Sequence, residues 1–174
     1  INANREYKKI TDIPECVQNA FVAIEDARFY KHSGVDLQGI LRAVFSALSD
    51  EKMTQGASTI TQQLLKNQVF GGGNEKSFFG KVSRKIQEQS LAIKLESTID
   101  KKKILEYYLN TINLGQNTMG VETASKRYFG KSVSKLTVSE AAVLAGITQN
   151  PTEYNPITEQ QNNEAKRKII LKNM

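Results

Sequence analysis

Apolar residues recur every three or four positions along most of this chain, and that spacing is what most limits its fold. A first helix is predicted after Pro14, because four apolar residues then mark one helical face: Val17, Ala20, Phe21 and Ile24. Stretches in which apolar and polar residues alternate, as in half-buried β-strands, are scarce. The pattern predicts an all-α protein.

Further helices follow from capping residues and from the same periodicity. Asp36 is predicted to cap a second helix, whose inward residues would be Leu37, Ile40, Leu41, Val44, Phe45 and Leu48. A third helix is predicted to open at Ser58, and a fourth to cover about 81–97. The segments 137–140 and 158–161 both read as capping boxes that start helices near the C-terminus.

Composition narrows the classes of partner. A chain of 174 residues fits one domain, and its single cysteine excludes an internal disulfide and a cysteine-rich metal site. The net charge is +6, and the segment 66–103 holds nine basic residues against four acidic ones. Such clustering suits a phosphate, a nucleic acid or an acidic membrane surface. No apolar run approaches the roughly 20 residues of a membrane-spanning helix.

Two carboxylates stand out at helical positions where apolar residues are expected. Glu25 shares a helical side with Phe29 and with His32, the one histidine of the chain. Glu88 follows Arg84 by one turn. Each set is also compatible with a purely structural role, Glu88 as a salt bridge in particular. Together the two carboxylates suggest chemistry at a sugar carbon, because enzymes that act there commonly use a carboxylate pair. Inverting sugar enzymes hold such a pair roughly 6.5–9.5 Å apart.

Polar residues also follow the start of the third helix. Thr59, Gln63 and Lys66 lie at spacings of four and seven, and Gln62 precedes Gln63. A sugar phosphate would explain this face, and so would contact with solvent. The segment 71–80 contains three successive glycines and then Phe78 and Phe79. It reads either as a plain surface loop or as a flap whose phenylalanines enter lipid.

Five segments in order closely resemble the motifs of the peptidoglycan glycosyltransferases. This family comprises the polymerising domain of class A penicillin-binding proteins and its monofunctional relatives. The matching segments are 25–34, 56–67, 84–96, 104–115 and 124–146. The resemblance covers nearly the whole chain, although Met119 stands where the family commonly has tyrosine.

The resemblance implies a fold, a reaction and a location. The fold would be lysozyme-like, with a large helical lobe and a small membrane-facing jaw at about 68–83 of a single domain. The enzyme would transfer the growing glycan from undecaprenyl pyrophosphate to the 4-hydroxyl of lipid II, with inversion. It would act at the outer face of the bacterial cytoplasmic membrane, anchored by a transmembrane helix outside these residues.

The resemblance also implies roles for individual residues. Glu25 would be the base that takes the acceptor proton, and Glu88 would bind substrate or assist the departing pyrophosphate. Asp26, Phe29 and His32 would support the base and shape the cleft. Contacts to sugar and diphosphate would come from Thr59, Gln62, Gln63, Lys66, Arg84 and Lys85.

The expected partners are lipid II, the growing glycan, the membrane surface and a phosphoglycolipid inhibitor of the moenomycin type. No cofactor and no dedicated metal site are expected, and any divalent cation would act through the substrate pyrophosphate. Two other classes of function remain open. One is a lysozyme-like hydrolase that cleaves glycan strands. The other is a basic module that binds anionic lipid, while nucleic-acid binding lacks a recognised motif.

Overall fold

The computed structural model describes residues 4–48, 56–72 and 77–174. Helices dominate this part of the chain, which confirms the predicted all-α class. They are α1 (Glu15–Glu25), α2 (Leu37–Leu48), α3 (Ile60–Gln68), α4 (Phe78–Glu96), α5 (Lys101–Thr111), α6 (Val121–Phe129), α7 (Val138–Ile147) and α8 (Gln160–Asn173). Within the described residues the only strands are β1 (Asn4–Arg5) and β2 (Thr118–Met119), which pair in parallel.

The chain divides into two compact units. The first unit contains the described residues up to Ile24 together with Glu106–Met174, and the second unit is Glu25–Leu105. The jaw predicted at 68–83 falls within the second unit, and its extent stays a prediction. No helix in the described ranges is both long and apolar enough to cross a membrane.

The core of the first unit is built around α7. Ala141, Leu144 and Ile147 of this helix are fully buried, as expected for a helix that is apolar on all sides. It packs against α8, where the Asn163 amide donates to the carbonyl of Val143 at 3.2 Å. The start of α7 is the predicted capping box, since Thr137 and Glu140 hydrogen-bond reciprocally. The second predicted box, before α8, is wrong because Glu159 caps that helix without a side-chain hydrogen bond.

Two buried carboxylates tie distant segments of the first unit together. Glu106 accepts hydrogen bonds from the Tyr7 hydroxyl and from the Ile10 backbone N–H, the latter at 2.6 Å. Glu122 accepts from the Val133 N–H at 2.8 Å and from the Ser132 hydroxyl at 3.0 Å. Each of these buried carboxylates accepts from a backbone N–H and from a hydroxyl of a distant segment, which makes its role structural.

The apolar stripe of α2 faces away from the core of the second unit, contrary to the prediction. Leu37 and Phe45 are 70% and 68% exposed, and Leu41 and Val44 are also exposed. Ile40 is half-buried, and the side chain of Leu48 lies outside the described residues. The inward side of α2 instead carries the buried Gly39. Periodicity located the apolar stripe, but it cannot say whether the stripe faces a core or another surface.

Helix α4 is also apolar on its outer side. It begins at Phe78, three residues before the predicted start, because Ser77 caps it by accepting from the Gly80 N–H at 3.0 Å. Phe78 and Phe79 are strongly exposed. The buried positions of α4 are Glu88 and Ala92. Close packing there needs a glycine, since a side chain on Gly34 would meet the Ala92 backbone at 2.6 Å.

Candidate active site

Glu25 is the last residue of α1, and its side chain is held by α3. It is 7% exposed, and its Oε2 accepts a hydrogen bond of 2.7 Å from the Gln63 side-chain amide. Gln63 lies one turn into α3, where it was predicted to contact substrate. The Gln63 amide therefore fixes the orientation of the Glu25 carboxylate.

Behind Glu25, Asp26 and His32 form a buried pair. The His32 Nε2 lies 2.9 Å from Asp26 Oδ2, and the same oxygen accepts from the Ile60 N–H at 3.0 Å. The Gly34 N–H donates to His32 Nδ1 at 3.2 Å, so Nδ1 is an acceptor and the ring proton belongs on Nε2. Phe29 is fully buried, with its ring edge-on to that of His32. Asp26 and Phe29 thus both contact His32, and the roles of all three residues in supporting Glu25 and shaping the cleft stay predictions.

Helix α3 starts at Ile60 rather than at Ser58, because Thr59 is its cap. The Thr59 hydroxyl accepts from the Gln62 N–H at 3.2 Å, and the Gln62 side chain accepts from the Thr59 N–H at 3.3 Å. Both side chains are buried. The Gln62 Nε2 has no hydrogen-bond partner among the described residues. Solvent contact, one of the two interpretations of this face, is therefore excluded for Thr59 and Gln62.

Glu88 lies between two cations of its own helix. It is 1% exposed, its Oε1 contacts Arg84 Nη1, and its Oε2 lies 3.4 Å from Lys85 Nζ. The Lys85 ammonium also donates to Ser58 Oγ at 2.8 Å and to Gln62 Oε1 at 3.3 Å. The neighbours Gln62 and Gln63 consequently link the two carboxylates, one through Lys85 to Glu88 and the other directly to Glu25.

Comparison with known proteins identifies the family of the chain. The family described as Transglycosylase matches residues 1–174, the whole chain. The chain belongs to the transglycosylase family. It is 47% identical over 170 residues to penicillin-binding protein 1A of Neisseria lactamica, a match that covers 98% of this chain and 21% of that protein. The penicillin-binding protein 1A of Haemophilus influenzae is 45% identical over 166 residues, 95% of this chain and 19% of that protein. The chain spans about a fifth of the length of these relatives.

Within this transglycosylase domain, Lys66 differs in its contacts from Arg84 and Lys85, the other two cations predicted at the site. It lies on α3 one turn after Gln62 and is half-buried. Its ammonium forms no hydrogen bond or ion pair with any residue in the described ranges. Arg84 and Lys85, by contrast, already contact Glu88. Lys66 therefore has no protein anion to give up to an anionic ligand, and its contact with the diphosphate stays a prediction.

Three residues near the transglycosylase site were missed from the sequence. Arg42 lines a small polar recess together with Glu25 and Asp26. Glu96 accepts from the Thr61 hydroxyl and pairs with Lys101 at 2.8 Å. In the sequence Arg42 and Lys101 are ordinary members of charged helices, and Glu96 is the last residue of the third matching segment without a predicted role.

Asp36 borders the same recess and is held as an anion. Burial raises the pKa of Asp36, but the Gly39 N–H and the Arg28 guanidinium outweigh burial and hold the pKa below its ordinary value. The Arg28 Nε lies 3.1 Å from Asp36 Oδ1. The Gly39 N–H contact confirms Asp36 as the cap of α2.

No group of three or more His, Cys, Asp or Glu side chains in the part of the chain that the structure describes is arranged to hold a metal ion.

The fourth motif of the transglycosylase resemblance has a different role from the first three. Its Asn110 clamps Lys8 of the N-terminal segment by hydrogen bonds of 2.7 and 2.8 Å. With Glu106, it stabilises the first unit.

Proposed function

We propose that this domain is a peptidoglycan glycosyltransferase. It transfers the growing glycan from undecaprenyl pyrophosphate to the 4-hydroxyl of lipid II and inverts the anomeric carbon. The observation that carries the proposal is the link through α3 between two buried carboxylates, one oriented by an amide and the other paired with two cations. This asymmetry suits a reaction that needs both a base and a stabilised anionic leaving group.

Glu25 is the base in this mechanism. The Gln63 amide orients its carboxylate at 2.7 Å, and its burial keeps bulk water from competing for the acceptor proton. It takes the proton of the lipid II 4-hydroxyl as that oxygen attacks the donor anomeric carbon. General base catalysis contributes a factor of about 10²–10⁴ to the rate.

Glu88 has a different part in this mechanism. Its two oxygens contact the Arg84 guanidinium and the Lys85 ammonium, so it orients these two cations. These two cations and Lys66 stabilise the negative charge that develops on the pyrophosphate as it departs. A glycan-cleaving hydrolase has no diphosphate to bind, so it would not need this cluster of three cations.

The membrane lies against the exposed apolar faces of α2 and α4 in this proposal. Leu37, Leu41 and Phe45 project from α2, and Phe78 and Phe79 project from the start of α4. Lys81 follows them by one turn and would meet anionic headgroups. The domain would therefore act at the outer face of the cytoplasmic membrane, anchored by a transmembrane helix outside these residues.

A moenomycin-type phosphoglycolipid would compete for the diphosphate site, and any divalent cation would act through the pyrophosphate.

Lipid II polymerisation tests the proposal. Wild-type domain with lipid II in detergent should yield glycan polymer. Glu25→Gln should abolish polymer formation while retaining lipid II binding, because the amide keeps the shape of the carboxylate and removes its basicity. Glu164→Gln is the matched control, since Glu164 is an exposed glutamate in the first unit. Normal turnover by Glu25→Gln, or shortening of preformed glycan without polymerisation, would refute the proposal.

A further inference from the structure

We propose that Lys101 is a positioning residue for Glu25, which it orients through two arms that both reach the first turn of α3. One arm begins with a hydrogen bond to His32 and the other with an ion pair to Glu96. The inference rests on the proposed function, since it concerns the orientation of the base. Lys101 is the first residue of α5 and belongs to the run Lys101, Lys102 and Lys103. Cations are unfavourable at the N-terminus of a helix, where the macrodipole is positive. The Lys101 ammonium therefore needs compensating partners.

The first arm runs through the histidine. Lys101 Nζ lies 3.4 Å from His32 Nδ1, which also accepts from the Gly34 N–H. An ammonium and a backbone amide are both donors only, so together they hold Nδ1 as an acceptor and place the ring proton on Nε2. That proton faces Asp26, and Asp26 accepts from the N–H of Ile60, the first residue of α3.

The second arm runs through Glu96. Lys101 Nζ lies 2.8 Å from Glu96 Oε2, and the other oxygen of Glu96 accepts from the Thr61 hydroxyl. The Glu96 side chain is 4% exposed, and Thr61 is fully buried. Thr61 is the second residue of α3. A buried carboxylate without its cation would carry an uncompensated charge, so Lys101 is what allows Glu96 to hold this position.

The two arms meet on consecutive residues of α3, one turn before the residue that holds the base. Ile60 and Thr61 set the direction of the helix at its start, and Gln63 then places its amide against Glu25. The Lys101 ammonium also lies 4.3 Å from the centre of the Phe29 ring, the ring that packs edge-on against His32. Without Lys101, His32 loses a donor and Glu96 loses its cation, so the start of α3 loses its fixed orientation.

The consequence should appear in the chemical step. Lys66, Arg84 and Lys85, which we assign to the diphosphate, make no contact with Lys101 in the described structure. A change at Lys101 should therefore slow kcat and leave the KM for lipid II almost unchanged. A small displacement of a catalytic group can reduce the rate by a factor on the order of 10², and we expect Lys101→Met to lower kcat by about 10- to 100-fold.

The test compares Lys101→Met with the control Lys102→Met, whose side chain is exposed on the same turn of α5. Polymerisation kinetics on lipid II give kcat and KM for both variants. Lys101→Arg retains a cationic donor and should recover part of the lost kcat. Glu96→Gln weakens only the second arm, so it should show a smaller loss, and it serves as the second variant if Lys101→Met does not fold.

A spectroscopic measurement separates orientation from general destabilisation. His32 is the one histidine of the chain, so ¹⁵N-labelled histidine reports a single imidazole. In the wild-type protein Nε2 should be protonated and Nδ1 unprotonated. In Lys101→Met the Nδ1 resonance should shift because a donor is lost, while Lys102→Met should match the wild type.

Each outcome decides one part of the inference. Wild-type kcat together with unchanged His32 resonances in Lys101→Met would overturn it. So would a loss that appears mainly in KM or only in thermal stability. If the wild-type domain does not polymerise lipid II, the proposed function fails, and the His32 spectra still test the contact with Lys101.

Discussion

The buried carboxylates of the two units differ in what binds them. In the first unit, Glu106 and Glu122 accept hydrogen bonds from backbone N–H groups of distant segments. In the second unit, Glu25 and Glu88 are held by the side chains of Gln63, Arg84 and Lys85. A backbone donor moves only if the chain moves, whereas side-chain partners can rearrange around a substrate. Burial and ion pairing do not by themselves identify a catalytic carboxylate, since Glu122 also pairs with Lys8 and Lys126. The backbone N–H donors mark Glu106 and Glu122 as structural.

The largest expected effect is on catalysis at Glu25. Glu25→Gln should lower glycan polymerisation by a factor of about 10²–10⁴, because the variant has no base. Glu122→Gln is the matched control from the first unit, and its folded fraction should polymerise at the wild-type rate. Rates measured per folded molecule check the comparison. Equal losses in the two variants would mean that the kind of donor carries no information.

A smaller effect is expected at Lys66. Lys66→Ala should impair use of the lipid-linked donor by about 10- to 100-fold in kcat/KM, since a charge-assisted contact to the diphosphate is worth about 1.5–3 kcal/mol. Lys168→Ala, at an exposed lysine of the first unit, provides the control. Steady-state kinetics with the lipid-linked donor as the varied substrate measure this kcat/KM. Unchanged kinetics would mean that Lys66 does not bind the diphosphate.

Stability is the property expected to change at Glu122. Glu122→Gln should lower the free energy of unfolding by about 2 kcal/mol, because hydrogen bonds to a charged acceptor are lost. Burial raises the pKa of Glu122, but donors from Val133 and Ser132, with nearby Lys126 and Lys8, hold it below the ordinary 4.5. Near pH 4 the unfolded chain then binds more protons at this position than the folded chain does.

The pH dependence follows from that difference. The stabilisation by Glu122 should be complete above about pH 4.5 and should be lost as the pH falls through the folded-state pKa. Urea denaturation of wild-type protein and Glu122→Gln at several pH values measures this. The difference between the two proteins should shrink on acidification, and a constant difference would contradict the assignment.

Removing either of the two capping boxes should give the smallest effects on stability. The two changes should nevertheless differ in their effect on polymerisation, which distinguishes the two units. Thr59 caps α3 beside Glu25, and Thr137 caps α7 in the first unit. Either Thr→Ala change should cost about 1 kcal/mol of stability. Thr59→Ala should also slow polymerisation, because α3 carries Gln63, and Thr137→Ala should not. Thermal melts and turnover measured on both variants test the pair, and matching activity in the two would count against the role of α3.

Much of the fold was predictable because helix signals are local. The periodic apolar residues after Pro14 predicted α1, and the Thr137 and Glu140 pair predicted the start of α7. The all-α class and the family were predicted correctly as well. The direction of the α2 stripe was predicted wrongly, since local periodicity does not record what lies opposite a helix.

The candidate site was predictable in its residues but not in its connections. Glu25 and Glu88 were both chosen from the sequence, and the structure buries both. The division of work between the neighbouring glutamines was not foreseen. Gln62 completes a capping box and contacts Lys85, while Gln63 holds Glu25. Adjacent residues on a helix point about 100° apart, so their partners depend on which elements pack on each side.

The sequence by itself determined the helical class, the family, and Glu25 as the first candidate for the base. Each of these depends on spacings or motifs that can be read within a single segment at a time. Within a segment, the backbone geometry of a helix dictates which residues share a side. Only the tertiary structure decided how Glu25 is supported. The support depends on contacts across 34 positions, from Asp26 to Ile60, and across 69 positions, from His32 to Lys101. Such contacts arise from packing between helices, which no local pattern encodes.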